Sequence, residues 1–201
     1  MPCANWDMSK RAQRVQDTAA YLLHSAPWRE TSLIIQVFSR QHGVLALVAK
    51  GAKRPYSVLR PVLSAFQPLA LSWSGANEVK TLTRAESAGI RKLGGQAYMS
   101  AWYMNELVLR LLPREDPHPV LYDAYEHALQ RLALQQSAAS ALRRFEWMLL
   151  QETGYGLEEE TPDFDDPRTE PALRQSLRAR LNELLSRPLQ TRKVLMELQR
   201  Y

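Results

Sequence analysis

The chain has 201 residues, 45% of them hydrophobic and 23% charged, with a formal net charge of +5. That balance excludes a disordered or fibrous chain, and the length allows a core that folds without disulfide staples. No apolar run approaches the roughly 20 residues of a membrane helix, and Met1–Lys10 lacks a signal-type apolar stretch, so the expected location is the cytoplasm, with no membrane partner.

In chain order, residues 1–13 read as a flexible leader. Ala19–Leu23 is a strand, stopped by Ser25-Ala26-Pro27. Thr31–Phe38 and Val44–Lys50 flank a glycine-ended turn and form a hairpin. Pro68–Trp73 and Val79–Thr83 flank Ser74–Asn77, a second hairpin. Five short strands without a helical period predict a small closed barrel of OB-fold type, which leaves no free sheet edge. The period changes near Gly94-Gly95. Helices are predicted over Gln96–Leu112 and Val120–Leu134, broken by Pro113–Pro119. A third helix, capped by Ser137 or Ser140, runs to a glycine stop at Gly154-Tyr155-Gly156. Leu157–Pro171 holds seven acidic residues and three prolines and reads as a solvated loop. Ala172–Leu185 and Pro188–Gln199 close the chain as helices. The expected fold class is therefore α+β: an OB-fold barrel over residues 14–90, then a helical domain over 91–201.

The charge is unevenly placed. Residues 1–84 hold eleven Lys/Arg against four Asp/Glu, a net of +7; residues 85–201 hold fifteen against seventeen, a net of −2. A basic barrel beside a nearly neutral partner points to a polyanion contact on the barrel. The candidate phosphate contacts are Lys50, Lys53, Arg54 and Arg60, at a strand end and in the loop after it. Gly51 there permits close backbone approach, and Tyr56 can stack on an unpaired base. The alternative is a loop kept polar for solubility. Trp28 and Arg29 form either a stacking platform or a plug at the barrel end. In Ala141–Trp147, Arg143 reaches Glu146 and Trp147 at i+3 and i+4, which suits a structural ion pair or cation–π contact. The sharper reading makes Leu142, Arg143 and Phe145 a seat for a peptide carboxylate.

Catalytic patterns are wanting. The four histidines have no metal-ligand spacing, and Gly51-Ala52-Lys53 lacks the rest of a P-loop. Carboxylates at Glu158–Asp166 sit on a loop, a poor frame for acid–base work or a divalent cation. The lone Cys3 excludes an internal disulfide and a cysteine-clustered zinc site. The expectation is a binding protein without cofactor or metal. Its rivals are a protein-interaction module and, further off, a metal-dependent nuclease or nucleotidyl transferase.

Six segments in order resemble the RecO family of bacterial recombination mediators: Leu22–Ser32, Val48–Lys53, Glu78–Leu82, Tyr103–Leu107, Leu142–Glu146 and Gly154–Gly156. Arg187–Arg192 also resembles the family's closing segment. The resemblance implies an OB-fold followed by a helical domain. It implies binding of single- and double-stranded DNA, annealing of complementary strands, and help for RecA in replacing SSB, together with RecR. It further implies that the acidic, phenylalanine-ended SSB tail docks on the helical domain, with Arg143 placed to meet its carboxylate, and that the protein is cytoplasmic and nucleoid-associated. Two departures stand out. The four-cysteine zinc module of some relatives has no counterpart here, and the stretch after Gly156 is shortened.

Overall fold

The structure is a computed structural model that describes residues 14–158, 160–191 and 194. The predicted leader, with Cys3, lies outside the described residues. So does most of the predicted last helix, of which Gln190, Thr191 and Val194 are described and helical.

Five strands close on themselves: β1 (Arg14–Trp28), β2 (Ser32–Ser39), β3 (Gly43–Ala49), β4 (Pro68–Ser74) and β5 (Val79–Ser87). Their order around the ring is β1-β2-β3-β5-β4, and β4 pairs back onto β1. All pairings are antiparallel except β3 with β5, which meet in parallel over Ala46–Val48 and Val79–Thr81. This is the predicted α+β arrangement, a five-stranded ring followed by helices. The strands differ from expectation at β1, which runs fifteen residues and passes through Pro27. Proline is tolerated because β1 pairs with β4 only from Arg14 to Tyr21, so its last residues have β2 on one side and no strand on the other. A short helix not foreseen, α1 (Leu59–Val62), lies between β3 and β4.

Period-2 alternation sorts the strand residues into two cores. Ala20, Leu22, Ile35, Val37, Leu45, Leu47, Leu69, Leu71 and Trp73 fill the barrel. Tyr21, Leu23, Phe38 and Val44 point outward into the second core, built with the helices α2 (Gly95–Leu111), α3 (Pro119–Ala133), α4 (Ala138–Glu152) and α5 (Glu170–Leu184). Each fully buried aliphatic or aromatic side chain contributes about 1.5–3 kcal/mol, so both clusters hold the fold. Ser137 caps α4, its Oγ accepting from the Ser140 N–H at 3.3 Å. Gly154, at φ +79°, ends that helix.

Polar contacts lock barrel to helices. Asn105 Nδ2 donates to the Leu23 carbonyl at 2.9 Å and its Oδ1 accepts from the Tyr125 hydroxyl. Arg91, in the connecting segment, donates to the Glu126 carbonyl and carboxylate at 2.8 and 2.9 Å. Arg40 forms a bidentate pair with Asp123. At the Ser39–Gly43 turn the approach is so close that a Cβ on Gly43 would lie 2.0 Å from the Asp116 carbonyl oxygen, and its φ of +66° independently favours glycine. Among the described residues, no helix is long and apolar enough to cross a membrane.

Candidate nucleic-acid interface

One end of the barrel lies under the helical part; the other carries the β1–β2 turn, the basic loop and α1, whose Leu59 and Val62 pack against the barrel core. Phe38, Val44 and Gly43 lie at the Ser39–Gly43 turn and are buried under the helical part. The β4–β5 loop is also occupied: Glu78 pairs with Arg114, and Lys80, just beyond it, pairs with Glu115. That loop is one of the two an OB-fold offers to oligonucleotides; the other joins β1 to β2 and here forms no ion pair among the described residues.

At this second end, Trp28, Arg29, Glu30, Thr31, Ser32, Val48, Lys50, Gly51 and Arg54 line an open cleft of about 580 Å³. Its frame is fixed by pairing of Trp28 with Ser32 and of Leu33 with Ala49. The basic loop is rooted rather than loose. Ala52 is buried in the barrel core, and the Lys53 N–H donates to the Thr31 carbonyl at 2.9 Å, tying the loop to the β1–β2 turn. The Arg54 N–H closes a turn on the Gly51 carbonyl at 3.1 Å. Gly51 has φ +71°, and a Cβ there would meet the Arg54 side chain at an ordinary 3.5 Å, so glycine is needed for backbone conformation and not for space.

The structure thus brings Trp28, Arg29, Lys50 and Arg54 together. The Arg29 guanidinium lies 5.9 Å from the Trp28 ring centroid, and Trp28 is 43% exposed, so it does not plug the barrel. Lys53 is exposed at the rim, held there by its backbone, and Arg60 is exposed on α1, outside the cleft lining. Tyr56, at the loop tip, is 99% exposed. Arg29, Lys50, Lys53, Arg54 and Arg60 have no ion-pair partner among the described residues. Sequence reasoning missed Glu30, Thr31, Ser32 and Val48 as lining. Strand alternation carried the signal for Val48, which must point outward if Leu47 points in.

The proposed carboxylate seat on α4 does not form an open surface. Arg143 is buried, its Nε 3.0 Å from Glu146 Oε2 and its Nη1 3.9 Å from Glu170. Glu146 also accepts from the Tyr103 hydroxyl at 2.6 Å. Phe145 is fully buried, edge-on to Tyr125, and Leu142 packs against the same core. Arg143 takes the structural role, because a buried carboxylate requires its cation. The acidic loop corrects the other way: Phe164 is 6% exposed against Trp147, and Asp165 binds Arg131 and Ser140, so the loop is docked. Among the described residues no group of three or more His, Cys, Asp or Glu could hold a metal ion.

The family described as "Recombination protein O N terminal" matches residues 14–91, and the one described as "Recombination protein O C terminal" matches 94–161. Proteins named DNA repair protein RecO are similar in sequence. That of Azoarcus sp. is 56% identical over 147 residues, 73% of this chain and 60% of the relative. That of Ralstonia nicotianae is 54% identical over 155 residues, 77% and 57% respectively. That of Cupriavidus pinatubonensis is 56% identical over 145 residues, 72% and 50%. The matched stretch therefore spans between half and three-fifths of these relatives' length.

Proposed function

The chain belongs to the RecO family of DNA repair proteins, and from that premise we propose that it is a DNA-binding recombination mediator whose barrel cleft holds single-stranded DNA. The observation that carries this reading is the convergence of Trp28, Arg29, Lys50 and Arg54 on one open cleft. Glu30 lines the same cleft, but the cations form no ion pair among the described residues and keep their attraction for phosphates; contacts of that kind release counterions and confer affinity without sequence preference. Trp28, and Tyr56 on the loop tip, supply ring faces on which any base can stack. Lys53 and Arg60 extend the positive surface along the loop, where a duplex backbone can also lie.

Annealing breaks no covalent bond. The protein screens the repulsion between two phosphate backbones and leaves base edges free to search for register. In this reading it acts in the cytoplasm at the nucleoid, with RecR, at strands coated by SSB, and assists RecA indirectly by letting it replace SSB. Docking of the acidic SSB tail on the helical part would raise the local concentration of mediator on coated strands. The buried, paired Arg143 supports a seat for that tail elsewhere than on α4's Leu142–Phe145 segment.

The test is annealing of complementary oligonucleotides, followed by fluorescence quenching, with the native chain and with Lys50→Glu/Arg54→Glu. The reading expects acceleration by the first and little by the second at equal fold content. Equal acceleration by both would move the DNA site off the cleft. No acceleration and no binding at low salt would favour a barrel that serves as a protein-interaction module.

A further inference from the structure

Past the stretch that the family matches, the segment between α4 and α5 does something that its composition conceals. Four consecutive residues, Asp163-Phe164-Asp165-Asp166, lie on the helical part as a ligand would. Phe164 enters an aromatic and cationic recess: its ring centroid is 6.2 Å from that of Trp147, in edge geometry, and the Arg144 guanidinium stands 4.9 Å over it. The Asp165 carboxylate is gripped by Arg131 Nη2 at 2.7 Å and Nη1 at 3.3 Å, and accepts from Ser140 Oγ at 2.5 Å. Cation–π contact and a charge-assisted fork are the chemistry by which proteins recognise acidic aromatic peptides.

The recess is not saturated by this occupant. Arg131 Nε and Arg144 Nε are buried without an acceptor among the described residues. Two guanidinium groups thus face one bound carboxylate, which itself stays half exposed. The segment's remaining ties run within it and to its C-terminal flank: Asp163 accepts from the Asp165 N–H, Asp166 pairs with Arg168, and the Thr169 hydroxyl, just before α5, donates to the Asp163 and Asp166 carbonyls. A segment joined to the body chiefly through one ring and one carboxylate can leave as a unit.

We propose that Asp163–Asp166 is a displaceable internal plug, an acidic–aromatic sequence of the chain itself that occupies a cationic recess made by Arg131, Ser140, Arg144 and Trp147 and competes there with acidic, phenylalanine-bearing peptides. The proposal rests on the reading that the helical part docks an acidic peptide, and it assigns that site a gate. An occupant present most of the time lowers apparent affinity by the fraction of molecules left open.

The test uses the full chain and a fluorescein-labelled peptide of sequence Asp-Asp-Phe-Asp-Asp-Pro. Its affinity is measured by anisotropy for the native chain and for Phe164→Ala/Asp165→Ala. The opened variant is expected to bind about tenfold tighter, and the gain is expected to vanish when Arg131→Ala is added. In parallel, hydrogen exchange on the native chain is expected to show faster exchange of the Asp165, Arg168 and Thr169 amides when peptide is saturating, a readout that needs no variant. Equal binding by native and opened chains, with exchange unchanged, would overturn the gate alone. Binding by neither would overturn the gate together with the docking reading beneath it.

Discussion

The barrel rim and the helical core use the same cations for opposite ends. At the rim, Arg29, Lys50, Lys53, Arg54 and Arg60 are exposed and have no carboxylate partner among the described residues. Toward the helices, Arg91, Arg110, Arg131 and Arg143 have side chains between 9% and 27% exposed, and each is ion-paired with an acidic residue. In the proposed reading, what separates a binding cation from a structural one is therefore its partner. An arginine whose charge is met by a neighbouring carboxylate has little left for a ligand, and removing it strands that carboxylate in a poor solvent. An exposed arginine without such a partner contributes little to stability and can be replaced at small structural cost.

Substitutions on the two sides should separate accordingly. Arg143→Ala takes one guanidinium away from the buried Glu146 carboxylate and should cost about 3–5 kcal/mol of stability, read from the urea midpoint, while DNA affinity per folded molecule stays unchanged. Selective loss of peptide or DNA binding at unchanged stability would return Arg143 to a surface role. Lys50→Glu with Lys53→Glu should do the reverse, weakening single-strand binding by about 100-fold at low salt while moving stability by no more than ~0.5 kcal/mol. A large fall in melting temperature would show that the loop charges support the barrel instead. At the junction, Asn105→Ala removes the partner of both the Leu23 carbonyl and the Tyr125 hydroxyl and should cost about 1–3 kcal/mol. A neutral result would mean that the two layers are held by apolar packing alone. Trp28→Ala should weaken single-strand binding by about 1 kcal/mol and duplex binding less, since only unpaired bases offer a face to stack. Equal losses on both substrates would deny the stacking role.

The smallest effect concerns acid. The hydrogen bonds from Arg131 and Ser140 hold the Asp165 carboxyl down at about 2, against a usual 3.8, and the Arg40 fork likewise lowers Asp123. A carboxyl depressed in the folded state contributes stability that is fully present above its usual value and is lost as pH falls through the depressed one. Both groups are about half exposed, so the contribution is modest. Asp165→Asn should flatten the melting-temperature profile between about pH 4 and pH 2. An unchanged profile would show that the clamp is electrostatically idle.

Much of this organisation was legible in the sequence. Short runs without a helical period placed the five strands, and the change of period at Gly94-Gly95 placed the first long helix. Turn residues gave the hairpins. What escaped was whatever depends on neighbours distant in sequence. Pro27 reads as a strand stop until its free side is known, because nothing local says that β4 has already ended. Leu157–Pro171 reads as solvated because acidic and proline content outweigh one phenylalanine. Phe164 is buried only because Trp147 and Arg144 come to meet it. The cleft was half legible: Lys50 and Arg54 announce themselves by charge, and Trp28 and Arg29 by their pairing. That the four share one opening follows from the register of β1 with β2 and β3. The pairing of Arg143 with Glu146 was available at i+3, and the geometry decides between that and an open seat.

In the proposed reading, unpaired cations around the β1–β2 end of the barrel hold a DNA strand. The most direct measurement is the dependence of binding on salt, using a fluorescent single-stranded oligonucleotide, for the native chain, Lys50→Ala and Lys50→Ala/Arg54→Ala. A steep linear fall of log affinity with log salt is expected, its slope becoming shallower by about 0.7 for each cation removed. A slope that does not change across the three proteins would contradict it.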